Sequence, residues 1–488
     1  MDQKVSQHGN RGYLILIALA AGMAGLLYGY DTSCVSGAIV FLKSLYHLTG
    51  FQEGEITSAI MIGGVVGVAA AGFLSDHFGR RKVLIWGAIV FFVGALISAF
   101  TQTPGQLIWA RIFGGIGIGL ASSLSTTYIS EIAPPNVRGR LSSLYQLLTT
   151  IGIFLTYLVN LFIVNLISHA WNVTTGWRWM LGIGAVPALL FFLALLFSPE
   201  SPRFLIEKLH VREGYNTLAR VNGSDEGKKQ MNEISSAIVR DSHSSLAKLF
   251  GPGLRRAFGI GIFLAIINQA AGMNVFMYYS PTIFQTAGMS GGNANFLATV
   301  GVGAVNVIAT VVFMFMIDKF GRRKLLLVGA LGLTIFSAWV AISFAAGNNV
   351  LLILGIFLFV ICFAFSMGPI PWVMIPELFP TYLRSRAAGL CTVLLWAANW
   401  AIGQFAPVML DAWGGLGTFI FFAVLNLVIG VGVYFFVPET KDKSLEQIED
   451  SFWPKGVKRE TNLKEAEENK QLKNVEQVKK ELKSIANK

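Results

Sequence analysis

Asp76-His77-Phe78-Gly79-Arg80-Arg81-Lys82 stands between two long apolar runs, and Asp318-Lys319-Phe320-Gly321-Arg322-Arg323-Lys324 stands between two others, 242 residues further on. Clustered cations of this kind collect in the short cytoplasmic connections of membrane proteins, so each copy reads as a tight turn between two membrane helices. Glycine suits the reversal because it accepts backbone angles that other residues avoid. Two further phrases repeat in the same order. Glu131-Ile-Ala-Pro-Pro-Asn-Val-Arg138-Gly-Arg140 pairs with Glu377-Leu-Phe-Pro-Thr-Tyr-Leu-Arg384-Ser-Arg386, and Pro199-Glu200-Ser201 pairs with Pro438-Glu439-Thr440. The chain therefore reads as two copies of one membrane unit.

Composition agrees. The 488 residues are 54% hydrophobic and only 13% charged, against roughly 25% charged in an average soluble domain. Runs of about 20 apolar residues suffice to cross a hydrocarbon core as a helix. Twelve are legible: 13–40, 55–75, 83–101, 105–129, 141–167, 177–197, 256–285, 295–317, 325–346, 350–379, 386–408 and 415–437. The expected architecture is an all-α membrane protein: residues 1–12 as a cytoplasmic start, 13–197 as a six-helix half, 198–255 as a cytoplasmic helical linker, 256–437 as a second six-helix half, and 438–488 as a cytoplasmic helix and charged tail. Lys and Arg concentrate in alternate connections, which places both termini in the cytoplasm of a multi-pass plasma-membrane protein. In the tail, Leu472, Val475, Val478, Leu482 and Ile485 recur at helical spacing between charges. The first run continues too long for a signal peptide.

The net charge of +11 does not point to nucleic acid, because the cations line short turns instead of forming one surface. Cys34, Cys362 and Cys391 have no paired spacing, so neither a disulfide framework nor a metal site is implied. The six histidines fall outside the apolar runs or at their ends, and no nucleophile or phosphate loop accompanies them. Gly114-Gly115-Ile116-Gly117-Ile118-Gly119 looks like a nucleotide loop, but it lies inside an apolar run, where small residues let helices pack closely. No enzyme and no cofactor is expected.

The paired Gly-Arg-Arg-Lys turns, Pro199-Glu200-Ser201-Pro202-Arg203 and Pro438-Glu439-Thr440-Lys441 resemble the sugar porter family of the major facilitator superfamily over residues 12–450. Tyr28-Gly29-Tyr30-Asp31, the segment Ser142 to Leu147, Asn268-Gln269 with Gly272-Met273-Asn274, and the segment Leu395 to Gln404 resemble bacterial arabinose-proton and xylose-proton symporters. The resemblance implies two pseudo-symmetric six-helix halves that rock about a central site, working as a monomer on a monosaccharide, with a proton as the coupling ion. L-arabinose, D-xylose or D-galactose is the expected cargo; a glucose-proton symporter or a facilitator is the alternative.

Asp31 lies inside the first run, where an ionised carboxylate is costly without a partner. Arg111 is the strongly basic residue inside the fourth run; counting ~1.5 Å per residue puts it ~10 Å below the outer end and Asp31 ~15 Å below, compatible with an ion pair. The resemblance implies that Asp31 carries the coupled proton. Some relatives add an acid in the sixth helix, where this chain has Gly182-Ile183-Gly184-Ala185, so Asp31 is expected to titrate alone within the membrane.

The same counting puts Asn268 ~18 Å from the inner Arg256, Asn306 ~16 Å from the outer Asn295 and Asn399 ~20 Å from the inner Arg386, all near midplane. Sugar sites combine such amides with a flat aromatic surface. The resemblance implies Gln146, Asn268, Gln269, Asn274, Trp372 and Asn399 as sugar contacts, with Tyr28, Asn306 and Trp396 nearby and Ile153 making the pocket less polar. Many relatives carry glutamine in place of Asn268 and an amide in place of Leu395. Pro369 and Pro371 are expected to bend the tenth helix as a gate, with Tyr278 and Tyr279 closing the outer side. At the inner face Arg80, Arg81, Arg138, Arg322, Arg323 and Arg384 are expected to meet Glu131, Glu200, Glu377 and Glu439 in a network that latches the outward-facing state and breaks when the inside opens.

Overall fold

The computed structural model describes residues 10–241, 249–251, 254–289, 293–316, 320–379 and 383–441. The charged tail, residues 1–9 and Asp318-Lys319 of the second turn lie outside the described residues, as do the side chains of Arg138 and Arg384. All regular structure among the described residues is helical.

The first half holds α1 (Arg11–Tyr46), α2 (Gly50–Phe78), α3 (Arg80–Phe100), α4 (Pro104–Ile132), α5 (Pro135–Leu166) and α6 (His169–Leu196), the last with a π-helical turn at Asn172–Gly176. Local chemistry marks the starts. Thr49 and Gln52 close a capping box on α2, and the Thr103 side chain caps α4 with Pro104 at its first position. Three short amphipathic helices follow: α7 (Pro202–Glu207), α8 (Val211–Asn222) and α9 (Ser224–Asp241). They sit at the end of the bundle that carries the two Gly-Arg-Arg turns, the basic end, where the Arg80 guanidinium stands 5.7 Å from the Phe204 ring.

The second half holds α10 (Leu254–Ala270), α11 (Met273–Thr286), α12 (Ala294–Met316), α13 (Arg322–Ala345), α14 (Asn349–Ala364), α15 (Ile370–Glu377) and α16 (Arg384–Phe436). Among the described residues ten helices are long and apolar enough to cross a membrane, with α10 and α11 counted as one of them. The shorter α14, continued by α15, supplies an eleventh span. The 53-residue α16 supplies two, because Gly414 (φ 63°, ψ −176°) turns the chain in its middle. The twelve spans match the twelve runs read from the sequence.

Inside the first half α2 packs on α4, α1 on α5 and α3 on α4. The glycine run of α4 sits in these contacts: a Cβ on Gly115 would come 2.1 Å from the Ile60 carbonyl oxygen, and one on Gly119 would come 2.3 Å from that of Gly64. The run is a packing surface, as its place inside an apolar helix implied. Between the halves α2 packs on α16, α5 on α12 and α1 on α11.

The repeated turns are built alike around a carboxylate. Glu200 accepts from the Arg81 backbone N–H (3.0 Å), and Glu439 accepts from those of Arg322 (2.9 Å) and Arg323 (3.2 Å). Each glutamate thus caps the N-terminus of α3 or α13, where unpaired N–H groups and the helix dipole favour an anion. In return Arg81 donates to the last carbonyls of α6, Leu195 (3.0 Å) and Leu196 (2.6 Å), and Arg323 donates to the Tyr434 carbonyl. Gly79 has φ 97°, as the reversal demands, whereas Gly321 has φ −61° and ψ 146°, open to any residue. At Gly321 the constraint is space: a Cβ would come 2.4 Å from Glu439 Oε2.

Candidate functional site

Asp31 on α1 and Arg111 on α4 form a buried ion pair, 3.4 Å from Oδ2 to Nη2, with the residues 7% and 2% exposed. The Arg111 Nε donates to the Ile56 carbonyl of α2 at 2.9 Å, so the cation ties three helices together. The Cys34 thiol, one turn along α1, donates to the Asp31 carbonyl at 3.1 Å and lies 3.8 Å from its Oδ1. A small cavity lined by Asp31, Arg111, Ser98, Phe91 and the small residues Gly94, Ala95, Ala110 and Gly114 reaches the pair through the first half. A carboxylate held this way exchanges its partner for a proton when the pair is pulled apart.

The amides form a connected string. Gly272 (φ 95°) ends α10 and begins α11, and the break turns Asn274 back toward Gln269. The Asn268 amide donates to the carbonyls of Met367 (2.6 Å) and Gly368 (2.8 Å), which the gap between α14 and α15 leaves without helical partners. Gln269 donates to Asn268 Oδ1 (2.6 Å), and Asn274 donates to both Gln269 and Asn399 (2.9 Å to the latter). Asn399 also accepts from the Tyr278 hydroxyl (2.8 Å) and donates to that of Tyr28 (3.4 Å), across to the first half. Beside it the Trp396 ring lies 5.3 Å from the Tyr28 ring and rests on Gly64, where a Cβ would come 2.2 Å from its edge. Every link is uncharged and pairs a donor with an acceptor, the complement a hydroxyl also offers.

Other expected site residues stand apart from this string. Gln146 on α5 is half-buried and hydrogen-bonds to none of it; Asn306 on α12 is 5% exposed and likewise unconnected. Ile153 is buried on α5, while Trp372, following Pro369 and Pro371 in α15, is 39% exposed. Tyr278 and Tyr279 are sealed at 1% and 0% exposure, and Tyr279 donates to the Gly403 carbonyl at 2.8 Å. Three residues that the depth argument passed over join the halves. The Tyr157 hydroxyl donates to the Met277 carbonyl (2.8 Å), and Gln404 accepts from Ser58 (2.9 Å) and donates to the Phe51 carbonyl (3.0 Å). Glu53 is 1% exposed in the first turn of α2, which begins at Gly50, five residues before the apolar run at 55–75.

At the basic end Arg80 pairs with Glu131 (3.2 Å) and Asp76 (3.4 Å), and Arg322 lies 3.8 Å from Glu377. Glu131 also accepts from the Ser201 hydroxyl. Each described pair lies within one half. The contacts between halves described above run from midplane to the far end.

A neutral string matched to hydroxyls, buried where two membrane halves meet, suits a solute in passage and puts the molecule in the class of two-half membrane carriers. Residues 17–452 match the model of the sugar (and other) transporter family, and the chain belongs to that family. It is 50% identical over 447 residues to an arabinose-proton symporter of Bacillus subtilis, covering 91% of this chain and 96% of the relative. It is 40% identical to a D-xylose transporter of Levilactobacillus brevis, covering 88% and 93%. Among solved structures it superposes on the partially occluded inward open conformation of the xylose transporter XylE from E. coli, with a TM-score of 0.80 and 30% identity over 89% of this chain and all of that one.

Proposed function

We propose that the chain takes up a monosaccharide, a pentose such as L-arabinose or D-xylose, together with a proton across the plasma membrane, as a monomer working by alternating access. The observation that carries this reading is the Asp31–Arg111 pair, a carboxylate and a cation buried together within the apolar spans of a chain whose midplane also holds an uncharged amide string. Protonation of Asp31 from outside releases Arg111, and with it the Ile56 carbonyl of α2, so one proton loosens three helices. The sugar replaces the contacts that Gln269, Asn274, Asn399 and Tyr28 now make with one another, its apolar ring face against Trp396. The basic end is the cytoplasmic side by the distribution of cations, so both termini are inside and the far end, where α2 and α16 are in contact, is the outer face. Gln146 and Trp372 reach the sugar in the opposite arrangement, with Pro369 and Pro371 letting α15 swing.

Uptake of labelled arabinose, xylose, galactose and glucose into proteoliposomes, with simultaneous recording of external pH, tests the reading. A pentose drawn inward with alkalinisation outside is the expected result. Sugar entry without proton movement points instead to a facilitator, and a preference for glucose to a hexose symporter.

A further inference from the structure

The far end of the bundle holds a charged cluster that neither the proton pair nor the amide string uses. Lys43, near the end of α1, is ion-paired with Glu53 in the first turn of α2, and its ammonium stands 3.9 Å from Asp411 in α16. Side-chain exposure is 42% for Lys43 and 54% for Asp411, but only 2% for Glu53. The other half roofs this carboxylate. A Cβ on Gly50 would come 2.4 Å from Asp411 Oδ2, the Gln404 amide holds the Phe51 carbonyl, and a Cβ on Gly54 would come 2.1 Å from the Gln404 carbonyl oxygen. Asp31 is therefore accompanied by a second sealed carboxylate within the apolar spans, one that closure of this face covers.

We infer that Lys43 is a positioning residue for closing this face of the carrier: it neutralises Glu53 when α16 descends on α2, and tethers the closed halves through Asp411. The inference rests on the alternating-access reading. With Lys43 in place, closure buries a neutral pair. Without it, closure strands an anion away from water, and opening returns that anion to solvent, so the open arrangement is favoured. The Asp411 contact is long and exposed and adds little by itself.

A Ser58→Cys reporter, at a fully buried site where α2 meets Gly403, tests this in intact cells by its rate of reaction with a membrane-impermeant maleimide. The native cysteines are buried, and the parent chain without the reporter gives the background. Lys43→Met is expected to speed labelling on the order of tenfold, Lys43→Arg to keep the parent rate, and Asp411→Asn to change it by less than about threefold. Adding Glu53→Gln to Lys43→Met is expected to bring the rate back toward the parent, because no charge is left to strand. Labelling of Lys43→Met no faster than Lys43→Arg overturns the inference, and so does a double variant that stays as fast as Lys43→Met. Surface expression of the same cells gives a second measure. Recovery by the double variant of what Lys43→Met loses supports the inference, and equal loss overturns it. Labelling needs no transported solute, so a chain that moved no sugar would fail the uptake assay while these rates still decided the role of Lys43.

Discussion

Asp31 and Asn399 illustrate how far single residues speak for themselves. Asp31 was legible because a carboxylate inside an apolar run must have a partner, and depth counting found Arg111, which lies 3.4 Å away. Asp31→Asn is expected to abolish uphill sugar accumulation while leaving sugar exchange across the membrane, since the amide keeps the shape of the site but carries no proton; retained accumulation would remove Asp31 from the coupling step. Asn399 was placed near midplane by the same counting, but its partners were not legible: Asn274, Tyr278 and Tyr28 come from two helices and both halves. Asn399→Ala leaves buried donors unpaired, at about 1–2 kcal/mol. It is expected to raise the half-saturating sugar concentration roughly tenfold with little change in surface expression. Glu53 escaped notice for a physical reason: hydropathy starts a helix where the charges stop, and α2 starts five residues earlier, with its acid turned under the other half.

The elements were legible wherever apolar length decides them, and less so where a remote partner sets the local backbone. The two Gly-Arg-Arg turns are nearly identical in sequence, yet Gly79 has φ 97° and Gly321 has φ −61°. What they share is the glutamate that caps the helix after them. Glu439→Gln weakens the anion at the start of α13 and is expected to lower stability by about 1 kcal/mol, read as a fall in the midpoint of thermal unfolding in detergent. The loss is expected to shrink as salt is added; an unchanged midpoint would show that α13 needs no cap. Gly272 is the stricter case, because its positive φ coincides with crowding: a Cβ would come 2.7 Å from the Phe422 ring. Gly272→Ala is expected to cost about 1–3 kcal/mol and to disturb sugar binding as well, since the break it maintains lets Asn274 reach Gln269. Intact sugar affinity in a destabilised Gly272→Ala chain would separate the two roles.

For the whole molecule, duplication was legible because three phrases repeat in order, and the helical count followed from composition. What the halves do to each other was not, because contacts such as those of Tyr157 and Gln404 depend on which end of the bundle is closed. A carrier that couples one proton to one sugar has a fixed ceiling: about 2.3 kcal/mol from 100 mV, or roughly forty-fold accumulation. Accumulation in vesicles clamped at that potential is expected to approach this value and to collapse with a protonophore; a sugar gradient indifferent to the protonophore would exclude coupling. The corner at Gly414 bears on how such a machine moves. One residue of non-helical backbone joins the two spans of α16, so the end of one is held next to the start of the other with no intervening loop. Asp411 sits three residues before that corner, so its contact with Lys43 places the junction of the two spans against the end of α1.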